Sequence, residues 1–265
     1  MRCLRIVGLT SNGANSGQST RYAIDLPGLA AGEVHTWLLA IDADADSTLL
    51  SAEERRRADE IRDDRHRQRF CSAHSAIRRL LAGYTGIAPA DITFDYSRHG
   101  KPRLARSQTF LAIQFSVSHT HDRLLIGLSA NGEVGIDIEF LRDDIDYLAI
   151  ARRHFSASEL RAILNRPKAM QAAAFFRCWT GKEAITKVRG QGLRCDLSKF
   201  RTLDDDASLR ARVVAGTDTP HALRGCYRLH AVDTEPGYCA SIAMLEATHG
   251  TAYPLRQFIG SAISV

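Results

Sequence analysis

"VGIDIEF", residues 134–140, is a β-type run that carries two carboxylates, Asp137 and Glu139, with one residue between them. Alternation along a strand sets Val134, Ile136 and Ile138 on one face and the two acids together on the other. Their Cα atoms then lie roughly 6.5–7 Å apart, close enough for both side chains to converge on one cation. Without such a cation, two like charges on one face repel each other. A half-exposed strand with a solvated acidic face fits the same pattern, so partners elsewhere in the chain decide between the two.

Working outward, "EVHTWLLAID" (33–42) reads as a strand, and residues 50–86 read as helical. Ser51 followed by Glu54 has the form of a capping box, and Gly83 and Gly86 stop the run. "DITFDYSR" (91–98), "FLAIQFSVSHT" (110–120) and "RLLIGLSA" (123–130) read as strands, with a turn at "SANGE" (129–133). Residues 155–192 repeat the Ser-Ala, acidic, long-helical pattern and end in glycines, and the strands "RARVVAG", "GCYRLHAV" and "YCASIAML" follow. Ser51 to Gly83 spans 32 residues and Ser156 to Gly190 spans 34. The expected fold is α+β: two similar α/β halves, 33–131 and 132–249, forming a pseudodimer with the active site in the cleft between them. Residues 1–32 read as an extension with little structure of its own, and 250–265 as a C-terminal tail.

Candidate partners for the acidic pair lie in "WTGKEAITK" (179–187), where Trp179, Glu183 and Lys187 share one helix face at i, i+4 and i+8. Glu183 and Lys187 alone would pass for a surface ion pair. Added to Asp137 and Glu139, Glu183 supplies a third oxygen donor, a set suited to Mg²⁺. Lys187 would then face the anion that the metal binds, and phosphate is the obvious candidate. In "FSVSHTH" (115–121), Ser118, His119 and Thr120 fall at a strand end, where a hydroxyl and an imidazole suit phosphate oxygens. The His119-x-His121 pair lacks further ligands at zinc spacing. "HGKPRL" (99–104) is a turn whose Lys and Pro could pack on a purine, although a plain surface turn has the same residues. "RRR" (55–57) and Arg69 form a basic helix face, the usual solvated kind unless an anion sits beside it.

The bulk numbers agree with a cytoplasmic soluble protein. The chain has 265 residues, 45% hydrophobic and 25% charged, and a net charge of +5. This is globular composition with a mild preference for acidic partners. Six scattered cysteines with no CxxC pair fit reduced thiols. No apolar run approaches the ~20 residues of a membrane span, and "SNGANSGQST" stands where a signal peptide needs its apolar core. The expectation is a cytoplasmic protein, with no membrane and no nucleic acid among its partners.

Taken together, "GKP" (100–102), "FSVSHT" (115–120), "VGIDIE" (134–139), "FSASE" (155–159) and "FFRCWTGKEAITKVRGQGL" (175–193) resemble the 4′-phosphopantetheinyl transferases, of the large pseudodimeric surfactin-synthetase-activating class. The resemblance covers roughly residues 33–245 in family order. It implies transfer of the phosphopantetheine arm of coenzyme A, the substrate, to a serine of an apo acyl, peptidyl or polyketide carrier protein, with release of 3′,5′-ADP. By that likeness Asp137, Glu139 and Glu183 hold Mg²⁺, with Mn²⁺ as a substitute. Ser118, His119, Lys182 and Lys187 contact the coenzyme's phosphate region, and Gly100, Lys101 and Pro102 line the adenine pocket. Arg57 and Arg69 fall near the 3′-phosphate, and Glu159 matches the family's candidate general base. The catalytic set it implies is Glu159, Lys187, Asp137 and Glu183, in a monomer. Ser116, Glu54 and Phe70 depart from the family, which more often has Asn, a basic residue and a hydroxyl residue at these places. Two other readings fit parts of the pattern: a different Mg²⁺-dependent phosphate enzyme such as a nuclease, and a non-catalytic coenzyme A or carrier-protein binding module.

Overall fold

Strand β1 (Val34–Ala40) is buried almost throughout because it is covered on both faces. Trp37 and Leu39 pack under a long helix, while Val34 and Leu38 face a second sheet. The computed structural model describes residues 26–41, 46–108, 113–130, 132–190, 195–202, 211–214, 226–245 and 254–260. Residues 1–25 of the extension read over 1–32, and the turn residues Asn131, Gln191 and Gly192, lie outside the described residues.

After β1 come helices α1 (Ala52–Glu60) and α2 (Asp64–Thr85), a short hairpin β2 (Phe94–Tyr96) and β3 (Pro102–Leu104), then β4 (Ile113–Thr120) and β5 (Arg123–Ala130). The second part runs β6 (Val134–Phe140), α3 (Tyr147–His154), α4 (Ala157–Leu164), α5 (Lys168–Val188), β7 (Ala211–Val214), β8 (Cys226–Val232), β9 (Tyr238–Leu245) and β10 (Leu255–Gly260). The fold is mixed α+β. Two four-stranded sheets form, in the orders β10-β1-β5-β4 and β6-β9-β8-β7. Within them β1-β5-β4 and β6-β9-β8 share order and antiparallel sense. The first sheet packs on α2, the second on α5, and an apolar layer including Val34, Leu38, Leu125, Val134, Ile136, Ile138 and Ile242 joins sheet to sheet.

Several elements differ from the sequence expectation. The helix expected over 50–86 is two helices, because Ile61 is extended and Asp63 caps a new start by accepting from the His66 amide. Gly83 lies inside α2, and only Gly86, at φ +71°, ends it. The helical stretch from 155 is also divided, at Pro167, which cannot continue a helix. Both expected helix starts carry a capping box, Ser51–Glu54 and Ser156–Glu159. The C-terminal stretch holds β10, which pairs in parallel with β1 from Val34–Leu255 to Leu39–Gly260 and stacks Phe258 on Trp37. Among the described residues no helix is long and apolar enough to cross a membrane.

One contact fixes where the acidic strand points. A Cβ on Gly135 would stand 2.0 Å from the Ala184 carbonyl oxygen and 2.4 Å from the Val188 nitrogen, so β6 lies directly on the backbone of α5. Gly135, Asp137 and Glu139 share that face.

Candidate active site

Asp137 therefore lies buried against a helix, with Glu139 half-buried beside it. From α5 they are met by Glu183 and Lys187, one turn apart. From the first half they are met by β4, which runs alongside β6 and offers a hydroxyl at every second residue. Ser116 Oγ accepts from the Ile136 amide at 3.2 Å, Ser118 Oγ donates to Asp137 Oδ1 at 2.8 Å, and Thr120 Oγ1 lies 3.5 Å from Glu139 Oε2. Ser116 thus serves the seam between the halves.

Lys187 Nζ donates to Asp137 Oδ1 at 2.7 Å and to Ser118 Oγ at 2.8 Å. Asp137 Oδ2 and Glu183 Oε1 are buried with no hydrogen-bond partner. Burial and the neighbouring charge of Asp137 push the Glu183 carboxyl up to about 7. The same two causes raise Glu139, against the pull of a hydrogen bond from Trp179. Burial also raises Asp137, opposed by Lys187. Three carboxylates against one ammonium are short of positive charge, and two uncommitted buried oxygens are what a hard cation takes up. By donor type and charge the residues fit a divalent metal ion. They are not arranged as a closed cage: among the described residues no three His, Cys, Asp or Glu side chains stand close enough to grip an ion.

Beside this cluster a cavity of about 620 Å³ opens between α1, α2, the β2–β3 hairpin and β4. Ser118 and His119 are adjacent in sequence but lie on opposite faces of β4, so Ser118 enters the carboxylate cluster while His119 lines the cavity. Burial and Lys187 hold the His119 imidazole below its usual value. Arg57, Arg69 and Pro102 line the cavity as well. So do His66, His74 and Tyr96, which the sequence reading passed over. The signal was present in α2, where His66, Phe70 and His74 follow at i, i+4 and i+8.

Four expected site residues are placed elsewhere. Glu159 is completely buried, with the amides of Thr202 (2.7 Å) and Ser156 (3.0 Å) and the ammonium of Lys182 (3.0 Å) on its carboxylate. As placed here, its carboxylate has no exposed atom and is committed to main-chain amides and Lys182, an arrangement that serves the start of α4. Lys182 is equally buried and donates to the Leu197 carbonyl at 2.7 Å and to that of Phe200 at 2.5 Å, outside the cavity lining. It neighbours Glu183 in sequence but points about 100° away around the helix. Lys101 turns its ammonium into the seam between the halves, and Gly100 is an exposed turn residue at φ +86°. Glu54 is buried, accepting from Arg78 at 2.6 Å and held 2.9 Å from the cavity-lining His74. Phe70 lines the cavity, stacked on His74.

Comparison with known proteins bears on this arrangement. Residues 133–243 match the family described as the 4′-phosphopantetheinyl transferase superfamily. The chain is 32% identical over 170 residues to the 4′-phosphopantetheinyl transferase HetI of a Nostoc species, covering 62% of this chain and 72% of that protein. It is 34% identical to the 4′-phosphopantetheinyl transferase psf-1 of Bacillus pumilus, over 61% of this chain and 68% of the relative. A 4′-phosphopantetheinyl transferase of Bacillus subtilis matches at 27% identity over 82% of this chain and 92% of its own length. The chain belongs to the 4′-phosphopantetheinyl transferase superfamily.

Proposed function

We propose that the protein transfers the 4′-phosphopantetheine arm of coenzyme A to a serine hydroxyl of an apo carrier protein, in a Mg²⁺-dependent reaction that releases 3′,5′-ADP. The observation that carries this is the pair of uncommitted buried carboxylate oxygens, on Asp137 and Glu183, beside a cavity with a basic rim. The matching three-strand sets β1-β5-β4 and β6-β9-β8, one in each four-stranded sheet, are read as the halves of a pseudodimer, with the reaction at the β4–β6 seam.

The nucleotide lies in the cavity, with Arg57, Arg69 and His119 toward its phosphates. Asp137, Glu139 and Glu183 hold the metal ion, which when bound withdraws charge from the pyrophosphate as a Lewis acid. Lys187, only partly buried, turns from Asp137 toward the phosphate next to the scissile bond and offsets the charge on the departing 3′,5′-ADP. With Glu159 buried as placed, the proton of the attacking serine passes to a carboxylate of the cluster or to a water that it orients. The serine oxygen bonds to the β-phosphorus as the bridging oxygen leaves with the nucleotide.

The test is release of 3′,5′-ADP from coenzyme A, Mg²⁺ and an apo carrier protein, followed chromatographically. Release matching the carrier consumed, lost with EDTA and in Asp137→Ala, is the expected result. Coenzyme A binding without release would leave a binding module. Salt-sensitive binding and cleavage of DNA would mark a nuclease.

A further inference from the structure

The β2–β3 hairpin forms one wall of the nucleotide cavity, through Tyr96 and Pro102. Its residue Lys101 reaches away from that cavity into the second half. The ammonium donates to the Val134 carbonyl at 2.8 Å and to the Val188 carbonyl at 2.9 Å. Val134 opens β6, the strand of Asp137, and Val188 is the last residue of α5, directly after Lys187. The end of a helix presents unpaired carbonyls and the negative pole of its dipole, which suits a cation supplied by another element. Just beyond, Gly190 sits at φ +65°, and a Cβ there would stand 3.1 Å from Lys101 Cβ and 3.2 Å from Ser97 Oγ. The hairpin is seated on bare backbone. Burial draws the Lys101 ammonium down to about 8, as expected of a lysine taken out of water.

We propose that Lys101 is a positioning residue that fastens the hairpin wall of the nucleotide cavity to the two elements bearing Asp137, Glu183 and Lys187, and so sets the bound nucleotide at a fixed distance from the carboxylates. Its effect on rate rests on the transferase reading; the tether itself does not. Lys101→Met keeps an unbranched side chain and removes the donors. Hydrogen exchange is expected to quicken about tenfold at the amides of 97–101 and 185–190 together, as loss of two charge-assisted bonds implies. kcat is expected to fall about tenfold, while the dissociation constant of 3′,5′-ADP changes by less than about threefold. Lys101→Arg, which retains donors, restores part of both effects, and Gly190→Ala reproduces them from the other side of the joint. If the Met variant does not fold, those two substitutions carry the comparison. A rise of about thirtyfold in the 3′,5′-ADP dissociation constant with exchange unchanged would instead make Lys101 a direct nucleotide contact. Wild-type exchange and kcat in Lys101→Met would also overturn the proposal. Faster exchange in that variant, in a protein that transfers nothing, would keep the tether and sink the transferase reading.

Discussion

Glu183 sets use against stability. Its carboxyl titrates near 7 in the fold against 4.5 ordinarily, so folding favours its neutral form. The sign follows: the fold keeps its full stability below about 4.5 and loses part of it as pH rises through 7, up to about 3 kcal/mol for this group at pH 8. Glu183→Gln removes that cost. The metal-free variant should unfold at higher denaturant than the wild type at pH 8, and at nearly the same denaturant at pH 4.5. It should transfer nothing, and Mg²⁺ should stabilise it less than it stabilises the wild type. Equal stabilisation of both proteins by Mg²⁺ would remove Glu183 from the metal site. Residue identity foretold this cluster because unlike elements had to explain one another: a paired carboxylate strand, and a Glu–Lys helix face. Lys182 and Lys101 were not legible in the same way. Lys182 reads as a phosphate contact and Lys101 as part of an adenine pocket until burial shows each ammonium on main-chain carbonyls. The capping-box place of Glu159 was not legible either, since a capping-box glutamate and a general base look alike in sequence.

Among the elements, β6 and α5 depend on how closely they meet. Gly135 lets the strand lie on the helix backbone, and no side chain fits there, because the obstructing atoms are Ala184 O and Val188 N. Gly135→Ala should cost about 3 kcal/mol or more and separate the carboxylates of β6 from Glu183. Denaturant unfolding checks the first effect, and loss of stabilisation by Mg²⁺ the second. A variant within 0.5 kcal/mol of wild type, roughly the scatter of ordinary surface changes, would mean that the contact is not tight. Periodicity and caps located the helices, since Ser51 and Ser156 each accept from a glutamate amide three residues on. The breaks at Ile61 and near Pro167 were less legible, because a continuing apolar pattern hides a change of helix axis. The short strand β3 was hidden within what reads as a turn.

At the scale of the molecule, the two sheets share an apolar layer and the C-terminal strand belongs to the first. β10 occupies the edge of β1, with Phe258 stacked 4.4 Å from Trp37 and Arg256 paired to buried Glu33. Truncation after residue 253 should expose that edge, lower the unfolding midpoint and promote self-association, seen by size-exclusion chromatography. An unchanged monomer with an unchanged midpoint would contradict this. The parallel return of β10 was not legible because a six-residue strand carries no mark of its distant partner. The strand order that the two sheets share was foreshadowed by the repeated Ser-Ala-acidic helix starts and the strands that follow each. Movement of a phosphopantetheine arm at the β4–β6 seam is read out by intact-mass spectrometry of apo carrier proteins incubated with the protein, coenzyme A and Mg²⁺. A mass gain of one phosphopantetheine arm, absent with EDTA and with Glu183→Gln, is the predicted result; no gain on any acyl or peptidyl carrier, with coenzyme A bound, would contradict it.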